Sequence, residues 1–183
     1  MASRKACQDK ELCRWFLSHG ADPNVESTLG TSPLSIAVYE ASFDVIQLLF
    51  EYGGSTKYGQ LIIHAARREL PDAVHVVKLV LDNGASVNHI MFEDRQYAYL
   101  FWESFGVGTA LHEAARIGSL AVLELLLERG ANPMIKDSKG RLAIDLGEYY
   151  GHTAIVGRLR PLSGREYQME IERGPEIQRM ERL

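Results

Sequence analysis

The stretch 106–140, GVGTALHEAARIGSLAVLELLLERGANPMIKDSKG, constrains the fold more than any other. Leu111, Ala114 and Ala115 form a narrow apolar stripe at helical spacing, and Thr109 stands where its hydroxyl can cap the first free N–H groups. Gly118 is a natural stop for this helix, because glycine enters the left-handed conformation without steric cost. A second segment follows, in which Leu120, Val122, Leu123, Leu125, Leu126 and Leu127 cover most of a helical circumference before Gly130. Such a helix has to be covered on more than one side. A helix pair this short cannot bury that surface alone, so copies of it must stack.

Weaker copies lie on both sides. Gly20, Gly53, Gly84 and Gly130 each close a Leu-rich segment, at intervals of 33, 31 and 46 residues. Residues 1–29 hold an incomplete unit with Leu12, Cys13, Trp15, Phe16 and Leu17. Two readings of it stay open, a degenerate cap or an array that continues upstream; Trp15 and Phe16, which want cover, favour the second. Residues 30–59 form the next unit, with Pro33 suited to a first helical turn. Residues 60–88 form the third, 106–140 the fourth, and 141–162 a weak fifth, with Asp145 where His112 stands in the fourth. Arg158, Arg160 and Pro161 end the array as a polar cap would, and the charged segment 163–183 is expected to be disordered.

The fourth unit resembles an ankyrin repeat, whose pattern is Gly-x-Thr-Pro-Leu-His-x-Ala-Ala, a loop, a Leu-rich helix and Gly-Ala-Asp/Asn. Gly106, Thr109, Leu111, His112, Ala114, Ala115, Gly118, Leu126, Leu127, Gly130, Ala131 and Asn132 match it; Ala110 departs at the Pro position. The family period is about 33 residues, and the likeness extends over roughly residues 10–162. It implies an all-α solenoid of stacked helix–turn–helix units with finger loops. It also implies recognition of another protein on a concave face lined by first helices and fingers, without catalysis or cofactor.

Composition narrows the partner class. The formal net charge is −4 and hydrophobic residues make up 46%, so nothing favours nucleic acid, which wants a basic face. Charge or glycine interrupts every apolar run well short of the roughly 18–20 residues a membrane helix needs. The first fifteen residues lack an apolar signal-peptide core. Two cysteines, Cys7 and Cys13, do not make a disulfide framework. The expectation is an intracellular monomer, cytoplasmic or nuclear, with Cys13 reduced in the core.

No motif for chemistry survives inspection. His112-Glu113 opens a zincin pattern, but Arg116 stands where the second His belongs. His112 is better explained by hydrogen bonds to loop backbone that tie neighbouring repeats, as the resemblance implies. GGSTKYG at 53–59 has glycines and a lysine in the wrong order for a phosphate loop, and a helix precedes it. The six histidines show no pair at ligand spacing.

Residues 89–105, HIMFEDRQYAYLFWESF, fall outside the repeat and hold six of the sixteen aromatics. Either this insertion folds back over apolar surface between the third and fourth units, or it is a partner-binding finger. The two roles are compatible, since aromatics dominate interface hot spots. Candidate partner contacts follow from position in the repeat. Near inner-helix ends these are Tyr39, Glu40, Arg67, Arg68, Arg116 and Ile117. The fingers add Lys57, Tyr58, Lys136 and Asp137. The insertion adds Phe92, Arg95, Tyr97, Tyr99 and Trp102. A rival reading makes the chain the regulatory or targeting portion of a larger enzyme.

Overall fold

The computed structural model describes residues 9–164; residues 1–8 and 165–183, which include Cys7 and most of the segment expected to be disordered, lie outside it. Every regular element among the described residues is helical. The helices are α1 (Lys10–Ser18), α2 (Pro33–Glu40), α3 (Phe43–Glu51), α4 (Leu61–Ala66), α5 (Ala73–Asp82), α6 (Gln96–Trp102), α7 (Ala110–Ile117), α8 (Leu120–Glu128), α9 (Ala143–Tyr149) and α10 (Thr153–Leu159). Among the described residues no helix is long and apolar enough to cross a membrane.

Two rows of helices result. The inner row runs α2, α4, α7, α9, each packed on the next. The outer row holds α1, α3, α5, α8 and α10, and within each pair the outer helix packs on its inner partner. One continuous core lies between the rows, from Cys13 and Leu17 through Leu49, Ile63, Leu111 and Leu126 to Ile155. Burying each large aliphatic side chain contributes roughly 1.5–3 kcal/mol. The small inner-row residues Ala37, Ala65, Ala66, Ala114 and Ala115 are fully buried, which lets neighbouring helices approach. Gly147 takes an alanine position in α9 because a Cβ there would stand 2.9 Å from a methyl of Ile155 in α10.

The helix starts show one device solved three ways. In α7 the Thr109 N–H donates to His112 Nδ1 at 3.1 Å, and His112 Nε2–H reaches the Arg141 carbonyl of the next unit at 3.1 Å. In α2, Ser35 takes the His position, and its hydroxyl accepts from the Ser32 N–H at 2.8 Å. In α9, Asp145 accepts from the Leu142 N–H at 2.7 Å. In each the side chain three residues on accepts from the N-cap N–H, and in α2 the cap is reciprocal, with Ser32 Oγ accepting from the Ser35 N–H at 3.1 Å. The side-chain tie to the following loop is made by the histidine.

Two asparagines join consecutive loops in the same manner. Asn24 donates to the Gly53 carbonyl and accepts from the Ser55 N–H. Asn88 donates to the Gly130 carbonyl and accepts from the Asn132 N–H. The second pair spans the insertion and is unaffected by it.

Candidate functional site

The insertion turns back onto the inner row. Its first residues are fixed by Gln60, whose Oε1 accepts from the Phe92 N–H at 2.9 Å and pairs with His89 Nε2 at 2.8 Å. Phe92 has φ 62, a left-handed conformation that costs roughly 1–2 kcal/mol in a residue with a Cβ. Its ring is buried beside Gly30, where a Cβ would come within 3.1 Å of it. Arg95 then pairs with Glu26 of the first finger loop, and that carboxylate also accepts from the Gly59 N–H at 2.8 Å. At the far end Ser138, in the finger before α9, donates to the Glu103 carbonyl at 2.6 Å and accepts from the Val107 N–H at 2.8 Å. The insertion is therefore strapped at both ends to finger loops.

Between this strap and the inner helices lies a cavity of about 350 Å³. Successive repeats contribute equivalent positions to its wall. His64 in α4, Glu113 in α7 and Leu146 in α9 each follow the residue at the capping-His position, and all three line the cavity. Three residues further on, Arg67 and Arg116 are equivalent to one another and line it too. Met91, Phe92, Trp102 and Phe105 of the insertion supply an apolar part of the wall, and Leu29 and Arg141 come from finger loops.

The polar part of the wall is organised around Glu113, which is buried. Its two oxygens accept from Arg67 Nη2 and Arg116 Nε, each at 2.8 Å. Burial pushes this carboxyl up, but the two guanidiniums outweigh burial and hold it below the usual carboxylate range. Burial, helped by the Arg67 charge, lowers the His64 imidazole to about 4, so it is neutral at neutral pH. Arg141 is matched by Asp137 at 2.7 Å. The guanidiniums of Arg67 and Arg116 thus share Glu113, that of Arg141 uses Asp137, and the Glu69 carboxylate adds to the negative field on Arg116. Among the described residues, the buried side-chain nitrogens without a hydrogen-bond partner are His64 Nε2, Arg67 Nε and Trp102 Nε1. All three residues line this cavity. An unmade buried hydrogen bond costs roughly 1–3 kcal/mol.

Four of the residues expected from sequence, Arg67, Phe92, Trp102 and Arg116, meet in this wall. Tyr39 is exposed at the end of α2, with its ring centroid 6.2 Å from that of His64. Tyr97, Lys57, Tyr58 and Lys136 are exposed elsewhere, while Glu40, Arg95, Tyr99 and Ile117 are half-buried. Three expectations are corrected by burial. Arg68 is 2% exposed: its guanidinium donates to the carbonyls of Val38 and Ala41 at 3.1 and 2.7 Å and to Asp72 at 2.7 Å, so it closes the C-terminal end of α2. Phe92 is 2% exposed and anchors the insertion rather than meeting solvent. Asp137 is buried, with its carboxylate accepting from the Lys139 and Arg141 N–H groups, so it shapes the finger loop. His64, Glu113, Met91, Phe105, Arg141 and Tyr150 were not among the expected residues and line the cavity. The signal that finds the first two is the register: the position after the capping His recurs in the wall from unit to unit.

Among the described residues no group of three His, Cys, Asp or Glu side chains could hold a metal ion. This wall brings together apolar surface, paired charges and buried hydrogen-bonding groups without a partner.

Known proteins share the pattern. A family model of ankyrin repeats in three copies matches residues 1–91, and a single ankyrin repeat model matches residues 108–138. A probable E3 ubiquitin-protein ligase of Oryza sativa subsp. japonica is 36% identical over 95 residues, 52% of this chain and 16% of that protein. The mitochondrial disaggregase of Bos taurus is 26% identical over 168 residues, 92% of this chain and 23% of that protein. Human cyclin-dependent kinase 4 inhibitor B is 43% identical over 54 residues, 30% of this chain and 39% of that protein. The chain spans well under half the length of each of these three relatives. Ankyrin repeats are non-catalytic protein-interaction modules, and the stacked helix pairs, the capping motif and the matched models together place this chain in the ankyrin repeat family.

Proposed function

We propose that the chain is a non-enzymatic scaffold that binds a partner protein on its inner, concave side, across the 89–105 insertion. The observation that carries this is the two-sidedness of α6. Ala98 is buried and Trp102 lines the cavity, while Tyr97, Leu100 and Phe101 are exposed by 74, 57 and 54%, and Phe105 just beyond them by 69%. Phe101 and Phe105 lie against Trp102, with ring centroids 5.1 and 5.5 Å apart. An exposed aromatic cluster on a rigid support has the composition of an interface hot spot. The stacked repeats hold it in place before binding, so little ordering entropy is lost. A protein partner, rather than nucleic acid, fits the net charge of −4.

The test is affinity capture with the unaltered chain and a variant carrying Tyr97→Ser, Leu100→Ser and Phe101→Ser, compared by quantitative mass spectrometry. Partners lost with the variant, while helical content is kept, support the reading. Identical partner sets overturn it. The shares of the ligase and disaggregase relatives that match this chain favour a second reading, in which the same surface serves as the targeting portion of a larger enzyme. Its test is the size of the native polypeptide and the activity that co-purifies with it.

A further inference from the structure

We propose that the cavity between the insertion and the inner helices receives an uncharged aromatic side chain of the bound partner protein. This rests on the docking reading above and adds the chemistry of the group that is seated. Among the described residues, the charged side chains lining the cavity are Arg67, Glu113, Arg116 and Arg141. Arg67 and Arg116 share Glu113, Asp137 answers Arg141, and the Glu69 carboxylate acts on Arg116. These three guanidiniums therefore stand against three carboxylates, and His64 is neutral at neutral pH. A charged guest would give up its hydration and find no unanswered charge, whereas an uncharged guest pays no such penalty. The rest of the wall favours a flat ring. Phe92, Trp102, Phe105 and Tyr150 supply aromatic surface and Met91 a thioether, and rings, sulfur and guanidiniums all attract a π system. The space, about 350 Å³, suits such a guest in size, since a dry cavity of roughly 150 Å³ already holds benzene. The cavity also joins the docking surface: Phe105 is exposed, lines the cavity and lies against Trp102, which in turn lies against Phe101.

The chain offers its own reporter, because Trp15 and Trp102 are its two tryptophans and Trp15 lies in α1, away from the cavity. The full chain, labelled with ¹⁵N, is titrated with three probes of nearly equal size: indole-3-acetamide, which is neutral, indole-3-acetate and tryptamine. The two protein indole N–H resonances are followed, with Trp102 assigned by Trp102→Phe. The amide is expected to move the Trp102 resonance saturably, with a Kd on the order of millimolar, what about a dozen heavy atoms can reach. Trp15 stays fixed. The acid and the amine each bind about tenfold more weakly, the cost of seating an unanswered charge. Glu113→Gln removes one carboxylate and brings the acid level with the amide or above it. Arg116→Gln removes one guanidinium and does the same for the amine. The ranking itself is read on the unaltered chain, so a variant that does not fold leaves the test intact. A further pair, 2-phenylacetamide and 2-cyclohexylacetamide, isolates the ring, and the first is expected to bind severalfold more tightly. Saturating indole-3-acetamide releases the partners that the triple variant of α6 loses.

No movement of Trp102, binding of the acid or the amine as tight as that of the amide, or equal binding of the phenyl and cyclohexyl probes overturns the proposal. Tighter amide binding after Tyr167→Ala would assign the cavity to this chain's own ring and overturn the partner assignment. A dimer that the amide dissociates would assign it to a second copy, with the same consequence. If the amide binds and those partners stay bound at saturation, the cavity is a site for a free small molecule, which also overturns the partner assignment. If the amide fails to bind while the triple variant loses its partners, the docking reading stands and only the seated ring falls. If the amide binds and that variant keeps its partners, the docking reading falls and takes the partner assignment with it.

Discussion

Arg67, at the C-cap of α4, and Arg116, in the last turn of α7, occupy equivalent positions in successive repeats and hold the two oxygens of one buried carboxylate, Glu113, each at 2.8 Å. Removing the carboxylate leaves two like charges facing one another. Glu113→Ala should cost about 2 kcal/mol, with the two half-exposed guanidiniums partly relieved by solvent. Arg67→Met in the Glu113→Ala background should cost less than it does alone. Urea denaturation of the four species measures the coupling, and additive losses would show that the three groups do not act as a unit.

Arg68 sits next to Arg67 and behaves differently. It is sealed in the core, with donors to two backbone carbonyls at the end of α2 and to Asp72. Arg68→Met should lower stability by roughly 2–4 kcal/mol, because the carbonyls of Val38 and Ala41 and one carboxylate lose their partner together. Partner binding by the fraction that remains folded should be unchanged. Asp72 has its carboxyl lowered first by the hydrogen bond from Arg68. That stability is present above the unfolded carboxylate pKa and fades as pH falls through the folded one.

Acid should weaken the fold before the carboxylates titrate. The His64 imidazole is lowered from 6.5 to about 4, and burial lowers His112 as well. The unfolded chain therefore takes up protons below pH 6.5 that the folded chain refuses, so stability drops as pH falls toward 4. At roughly 1.36 kcal/mol per unit, His64 alone accounts for on the order of 3 kcal/mol across that window. His64→Leu should flatten the slope between pH 5 and 6.5, where carboxylate contributions are still small. An unchanged slope in that variant would exclude His64 as its source.

Gln60 holds the start of the insertion through one oxygen. Gln60→Leu leaves the Phe92 N–H unpaired in a left-handed residue, a loss of roughly 1–3 kcal/mol that falls on the strap rather than on the stack. The expected readout is faster proteolysis within 89–105 with little change in the thermal midpoint. Equal protection in both proteins would mean that Phe92 burial and the Arg95 and Ser138 contacts anchor the segment without Gln60.

The stack was legible in the sequence because each unit repeats the same local chemistry. Thr109 with His112, the small Ala114 and Ala115, and Gly118 before α8 are close neighbours in sequence, so their spacing carries their geometry. The site was legible only in part. Aromatic density marked 89–105, and register near inner-helix ends marked Arg67 and Arg116. Which arginine faces the cavity was not readable, since Arg67 caps the end of α4 and Arg68 lies just past it, where helical periodicity no longer fixes a direction. Phe92 was misplaced because its burial depends on Gly30 and Gln60, respectively 62 and 32 residues away in the chain. His64 and Glu113 were not among the expected residues, because their place in the wall shows only as one of a series recurring from unit to unit.

Asn88 reaches Gly130 as Asn24 reaches Gly53, so the backbone stack closes beneath the inserted residues as though they were not there. The Met91 N–H meets the Gly108 carbonyl at 2.9 Å, which brings the two ends of the extra segment together. A loop whose ends already touch adds little closure entropy when it lengthens, about 0.6 kcal/mol for each doubling. The exposed residues between those ends, Tyr97, Leu100 and Phe101 among them, can therefore be exchanged while the repeats around them keep their register. On the proposed reading, the exposed face of α6 is set apart from the stack that keeps the molecule folded, and the joint between the third and fourth units is the place where a new specificity could be written without redesigning the scaffold.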